Sequence, residues 1–115
     1  MREKYGNIVG GRVDFDGDEV SLRSPADGSL LTTVVHASRA KTEEAIDAAE
    51  DALRSWSKTT ARDRQALLLK LSERIQSRAD EYSILETLNT GKTIRQSSMM
   101  DVPLGIEHIR YFATT

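Results

Sequence analysis

A chain of 115 residues with 38% hydrophobic and 30% charged side chains has the size of a single domain. Its net charge of −2 creates no basic field for nucleic acid, and 5% aromatics make no stacking platform for single strands. The absence of cysteine excludes a disulfide scaffold, a thiolate metal site and a cysteine nucleophile. The opening MREKYGNIVGG has no apolar core of a secretory signal. The longest uninterrupted apolar run, Ala66 to Leu69, is far too short to span a membrane. A cytoplasmic protein with no nucleic-acid and no membrane partner is therefore expected.

Residues 7–15, NIVGGRVDF, have the β-branched and aromatic content of a strand, broken by Gly10-Gly11 as a hairpin turn or bulge. Asp16-Gly17-Asp18 is a second turn signal, Val20 to Arg23 a short strand, and Pro25-Ala26-Asp27-Gly28 a further turn. Leu30 to Val35 is the strongest strand of the set. The expected fold is α+β, with a small antiparallel ribbon over about 7–35 and helices after it. The ribbon part spans 1–37 and the helical part 38–115.

From Thr42 the period changes from two to about 3.6. Thr42 is read as the cap of a first helix with Ala45, Ile46, Ala49, Ala52, Leu53 and Trp56 on its inner side. Glu43, Glu44, Asp47, Glu50 and Asp51 form its outer face, and Trp56 reads as a core anchor. A second helix opens near Thr60 with Asp63 three residues on, a variant capping box, and runs through Leu67, Leu68, Leu71 and Ile75. A third, from about Asp80, presents Tyr82, Leu85 and Leu88 and closes at Gly91. A short helix around Ile94 to Met99 follows. A last one, capped by Asp101 with Pro103 in its first turn, carries Leu104, Ile106, Ile109, Phe112 and Ala113. Ending inside that helix with no stop signal, the chain reads as truncated at its C-terminus.

Chemistry is hard to find in these residues. Gly91-Lys92-Thr93 looks like the tail of a phosphate loop, but the position that needs the first glycine holds Glu86, which repels phosphate. A helix end followed by a lysine accounts for it. His36 and His108 have no cysteine partners and lie far apart in sequence; His108 fits a helix surface. The serines have no adjacent base and no nucleophile elbow.

Several phrases, in order, resemble the N-terminal part of the aldehyde dehydrogenase superfamily, the NAD(P)-dependent enzymes that oxidise aldehydes to acids. Ser24-Pro25-Ala26-Asp27-Gly28 is similar to the family's Asn-Pro-x-x-Gly turn, with Ser24 in place of Asn. Glu43 to Trp56 resembles its first helix and Arg62 to Ile75 its second. Glu86-Thr87-Leu88-Asn89-Thr90-Gly91-Lys92 matches the Glu-Thr-Leu-Asp/Asn-x-Gly-Lys phrase, and Arg110-Tyr111-Phe112-Ala113 the Arg-Tyr-Tyr/Phe-Ala phrase.

The resemblance implies the N-terminal part of an α/β cofactor-binding domain. It also implies a full-length parent that binds NAD or NADP, takes a small aldehyde as substrate and forms a homo-oligomer. The family's catalytic cysteine, general-base glutamate, oxyanion asparagine and cofactor loop lie beyond this region, so no catalytic or cofactor-binding residue is assigned here. The expectation is an oxidoreductase fragment that binds no cofactor and is inactive alone. The alternative is a small helical interaction module that binds a full-length homologue or another protein. Some family members hold a monovalent cation with backbone carbonyls before the Asn-Pro turn and with an aspartate ahead of the Arg-Tyr-Phe phrase. Carried over, these ligands fall on Leu22, Arg23 and Asp101, for K⁺ or Na⁺.

Overall fold

The computed structural model describes residues 3–115; Met1 and Arg2, within the expected ribbon, lie outside the described residues. Its strands are β1 (Lys4–Tyr5), β2 (Asn7–Val9), β3 (Arg12–Asp14), β4 (Asp18–Arg23) and β5 (Leu30–His36). Its helices are α1 (Arg39–Trp56), α2 (Ala61–Gln76), α3 (Ala79–Thr90), α4 (Ile94–Gln96) and α5 (Val102–Thr114), with a π-turn at Ser97–Asp101 between the last two. The chain divides into two compact units. Residues up to Ser24 join Gly28–Lys58 in the first, and Pro25–Asp27 join Thr59–Thr115 in the second.

In the first unit, β5 is the central strand, because its Thr32-Thr33-Val34-Val35 run suits pairing on both edges. β4 pairs with it antiparallel, with an irregularity between Leu22 and Arg23. β1 pairs parallel on the other edge, Lys4 with Thr33 and Tyr5 with Val34. The antiparallel ribbon expected over 7–35 thus gains a parallel edge from residues before Asn7. Two residues are too few to show a period, so this strand had no sequence signal. β2 and β3 form a separate hairpin, closed by the Val9–Arg12 pair. Gly10 and Gly11 both have positive φ, 54° and 79°, as a two-residue type I′ turn requires.

α1 starts three residues before Thr42. Ser38 has extended backbone, and its hydroxyl accepts the Lys41 amide at 3.2 Å. Thr42 sits inside the first turn and donates its hydroxyl to the Ser38 carbonyl at 3.0 Å. Both residue types can cap, and the upstream one already had the extended conformation that capping needs. The acidic face is exposed as expected. The apolar face is not covered, with Ile46 59% and Leu53 55% exposed. Trp56 is 44% exposed and is no core anchor in this unit.

The second unit is helical. The Thr60 hydroxyl accepts the Asp63 amide at 3.1 Å, so Thr60 caps α2 as expected, and it donates to the Asp63 carboxylate at 2.7 Å, which takes the cap hydroxyl as its partner. α2 packs mainly against α5, where Ile106 and Ala113 are buried. The fully buried positions of this unit are small and polar. Ser72 donates to the Leu69 carbonyl at 2.7 Å and Ser83 to the Ala79 carbonyl at 2.8 Å. Each hydroxyl is satisfied inside its own helix, so backbones can approach closely without orphaning a polar atom.

Asp101 does not cap a helix. Its backbone is helical (φ −67°, ψ −52°), its side chain makes no capping bond, and the Val102 amide reaches back five residues to the Ser97 carbonyl. The two helices expected at Ile94 and Asp101 are one run joined by a π-turn. No fresh helix start exists at Asp101, so its amides there need no cap. The donor that Pro103 lacks falls where the bonding pattern has already slipped by one residue.

In the first unit Lys41 joins α1 to the hairpin, 3.0 Å from Asp14 and 2.7 Å from Glu44. The Asp16 amide, then the Lys41 ammonium, holds the Asp14 carboxyl below its ordinary 3.8. Because the folded carboxyl ionises more readily than the unfolded one, its contribution is complete above 3.8 and is lost as pH falls through the lower folded value. An NMR titration of Asp14 should therefore give a midpoint below 3.8 that moves upward in Lys41→Met. A midpoint indifferent to that substitution would remove Lys41 from the account.

Candidate functional site

A polar cluster of the second unit grows from the Glu86–Lys92 phrase. α3 stops because Gly91 takes φ 75°, and its amide bonds the Thr87 carbonyl at 2.9 Å, a left-handed C-cap. A Cβ there would also meet the Pro25 ring at 2.9 Å. The reversal delivers Lys92 back beside its own helix. Its ammonium lies 3.1 Å from Glu86 and 3.0 Å from Asp101. One step along, the Thr87 hydroxyl donates to Ser97 at 2.9 Å, and Ser97 is fully buried. The Asp101 carboxylate, followed by that of Glu86, raises the Lys92 pKa above its ordinary 10.5. The ammonium therefore stays charged throughout the neutral range.

This arrangement is a salt-bridged helix junction. It presents no nucleophile, no base aimed at a cleft and no phosphate cradle, so the helix-end reading of Gly91-Lys92-Thr93 stands. Sequence reading missed its membership. Glu86 and Lys92 are six apart, outside the spacing at which a helix pairs side chains, and only the reversal at Gly91 brings them together.

The residues expected to hold a monovalent cation fall in different units. Leu22 is half-buried at the β4 irregularity, and Arg23 beside it donates its guanidinium to the Gly28 carbonyl at 3.0 Å. Both belong to the first unit, and Asp101 belongs to the second. The Asp101 carboxylate is hard oxygen of the right kind, but a cation there shares it with Lys92. His108 is exposed on α5, as a helix-surface residue should be. The Arg110 guanidinium of the last phrase bonds Glu107 at 2.7 Å and the Gln76 side chain, tying α5 to α2. Among the described residues, no helix is long and apolar enough to cross a membrane.

The model of the aldehyde dehydrogenase family matches residues 13–115. The chain belongs to the aldehyde dehydrogenase family. It is 39% identical to an aldehyde dehydrogenase of Vibrio cholerae serotype O1 over 98% of its own length and 23% of that protein's. It is 34% identical to aldehyde dehydrogenase B of Escherichia coli K12, over 99% of the chain and 23% of that protein. Among solved structures it is similar to PnpE from Pseudomonas sp. WBC-3, at 38% identity and a TM-score of 0.92, covering 96% of this chain and 23% of that one. PnpE has also been crystallised with nicotinamide adenine dinucleotide. The chain thus spans about a quarter of the length of the relatives it matches. It has the α+β architecture of the N-terminal part of this fold.

Gly91→Ala should destabilise the junction by about 1–2 kcal/mol from the left-handed backbone alone, and the Pro25 contact adds to that. The measurement is the urea midpoint of the helical circular-dichroism signal. Gly91→Asn should lose less, because asparagine tolerates this conformation. An alanine variant with an unchanged midpoint would contradict the assigned cap.

Proposed function

We propose that this chain is the N-terminal portion of an NAD(P)-dependent aldehyde dehydrogenase and that it oxidises no aldehyde by itself. The observation that carries this is the family match over nearly the whole chain, together with the absence of any cysteine in the 115 residues. Oxidation through a covalent thiohemiacetal needs a thiolate to attack the aldehyde carbon, and the Thr60 hydroxyl that donates to the Asp63 carboxylate is engaged as a helix cap.

In this reading the chain's contribution to the complete enzyme is architectural. The outward apolar side chains of α1, α2 and α5 are surfaces for the rest of the domain, where burial contributes about 1.5–3 kcal/mol for each large side chain fully covered. The complete enzyme takes a small aldehyde as substrate and a nicotinamide dinucleotide as oxidant, as the PnpE complex with that dinucleotide supports. Homo-oligomerisation and a cytoplasmic setting belong to the same proposal. So does the monovalent cation, with Leu22 and Arg23 supplying carbonyls and Asp101 a carboxylate.

The test is direct. The purified chain, offered a panel of aliphatic, aromatic and amino aldehydes with NAD or NADP, should form reduced cofactor no faster than a protein-free blank. Turnover above that blank, proportional to protein and surviving repurification, would overturn the proposal.

A further inference from the structure

The last helix has two apolar faces, and a single turn decides which of them is buried. Val102, Ile106, Ile109 and Ala113 recur at helical spacing and are buried or half-buried. Met100, Leu104, Tyr111 and Phe112 form a second stripe and are exposed, Phe112 to 69%. If the helix ran from Ser97 as an unbroken α-helix at about 100° per residue, positions 100, 104, 108 and 111 would share the buried side of Ser97. Positions 102, 106, 109 and 113 would then point to the far side. The π-turn prevents this. It holds one residue more than an α-turn, so it re-phases α5 by roughly one residue's angle and brings Ile106 and Ala113 inward.

Both ends of that turn are tied to one stretch of chain. Ser97, its first residue, accepts from Thr87 at 2.9 Å. Asp101, its last, accepts from Lys92 at 3.0 Å, and Lys92 is anchored in turn on Glu86 at 3.1 Å. Of the five residues in these bonds, Glu86, Thr87 and Lys92 belong to the Glu86–Lys92 phrase, and Ser97 and Asp101 are the ends of the turn. We propose that the Glu86–Lys92–Asp101 cluster and the Thr87–Ser97 bond form a clasp that holds the π-turn and so sets the rotational phase of α5. The clasp assigns the Ile106 stripe to α2 and leaves the Leu104–Tyr111–Phe112 stripe facing outward. Lys92 is a positioning residue in this scheme. A lysine reaching a surface acid at random would not be shared between the helix before the turn and the turn's last residue.

The phase can be read by thiol cross-linking in the full chain, which has no native cysteine. Gln76 and Arg110 meet across α2 and α5 through the ends of two long side chains, so Gln76→Cys with Arg110→Cys should be bridged by a short bismaleimide that replaces their reach, whereas Gln76→Cys with Tyr111→Cys, on the exposed stripe, should be bridged far less. Adding Lys92→Met should lower the 76–110 yield by about threefold, the scale on which half-exposed ion pairs act, and Lys92→Arg should retain most of it. The decisive variant combines Lys92→Met with deletion of Met99, an exposed residue of the turn. Removing one residue converts the π-turn to an α-turn while keeping α5 in phase, so the yield should return without the clasp. If Lys92→Met instead costs the helical signal, the deletion should restore signal and cross-link together. An undiminished yield in Lys92→Met, or a deletion that fails to restore it, would overturn the proposal.

Discussion

The reversal of the backbone at Gly91 is the constraint on which the second unit depends. A helix that ends in a left-handed residue sends the next one back along its own side, and here that residue is Lys92. Its ammonium meets one carboxylate from the helix it has left and another from the turn the chain has yet to make. An ordinary residue at 91 would lose the reversal to steric strain and to the Pro25 ring. Without the reversal Glu86 and Lys92 would be six residues apart along a helix, and the junction would have no polar centre.

The phrases that carry the family likeness are accordingly architectural. Glu86, Thr87, Gly91 and Lys92 build a junction, and Arg110, paired with Glu107 of its own helix, ties α5 to Gln76 of α2. Specific wording with no nucleophile in it is what a structural joint looks like in sequence. A charged group with two fixed partners tolerates few replacements, as does a glycine with positive φ, whereas an apolar core position accepts several side chains of similar volume.

Packing in this chain is unusual for its length. Among the described residues the buried apolar side chains are Val35, Ile106 and Ala113, while serines fill the tightest positions. Large side chains at Leu53, Leu71, Leu104 and Phe112 face outward instead. The stripe expected on α5 divides in the structure, with Ile106 and Ala113 buried and Leu104 and Phe112 exposed. An amphipathic pattern does no more than locate apolar side chains on a helix. It marks a face, and a face can be covered only by something that the same stretch of chain does not contain.

Local signals read from the sequence match the structure wherever one residue type has a single good use. Gly10-Gly11 makes the hairpin, Thr60 with Asp63 caps α2, and Gly91 ends α3, because the backbone conformation or hydrogen bond each supplies is local. Where two local options were nearly equal in energy, the tertiary structure made the choice. Ser38 rather than Thr42 starts α1, and the edge strand at Lys4 exists only because β5 offers it partners. Asp101 is an interior residue bonded to Lys92 instead of a cap. Helix type between Ser97 and Asp101 belongs to the same class. Composition and spacing favour helix there but cannot distinguish an α-turn from a π-turn, which differ by one residue's slip in a hydrogen-bond ladder. That slip is held by partners contributed from Thr87 and Lys92, outside the turn itself.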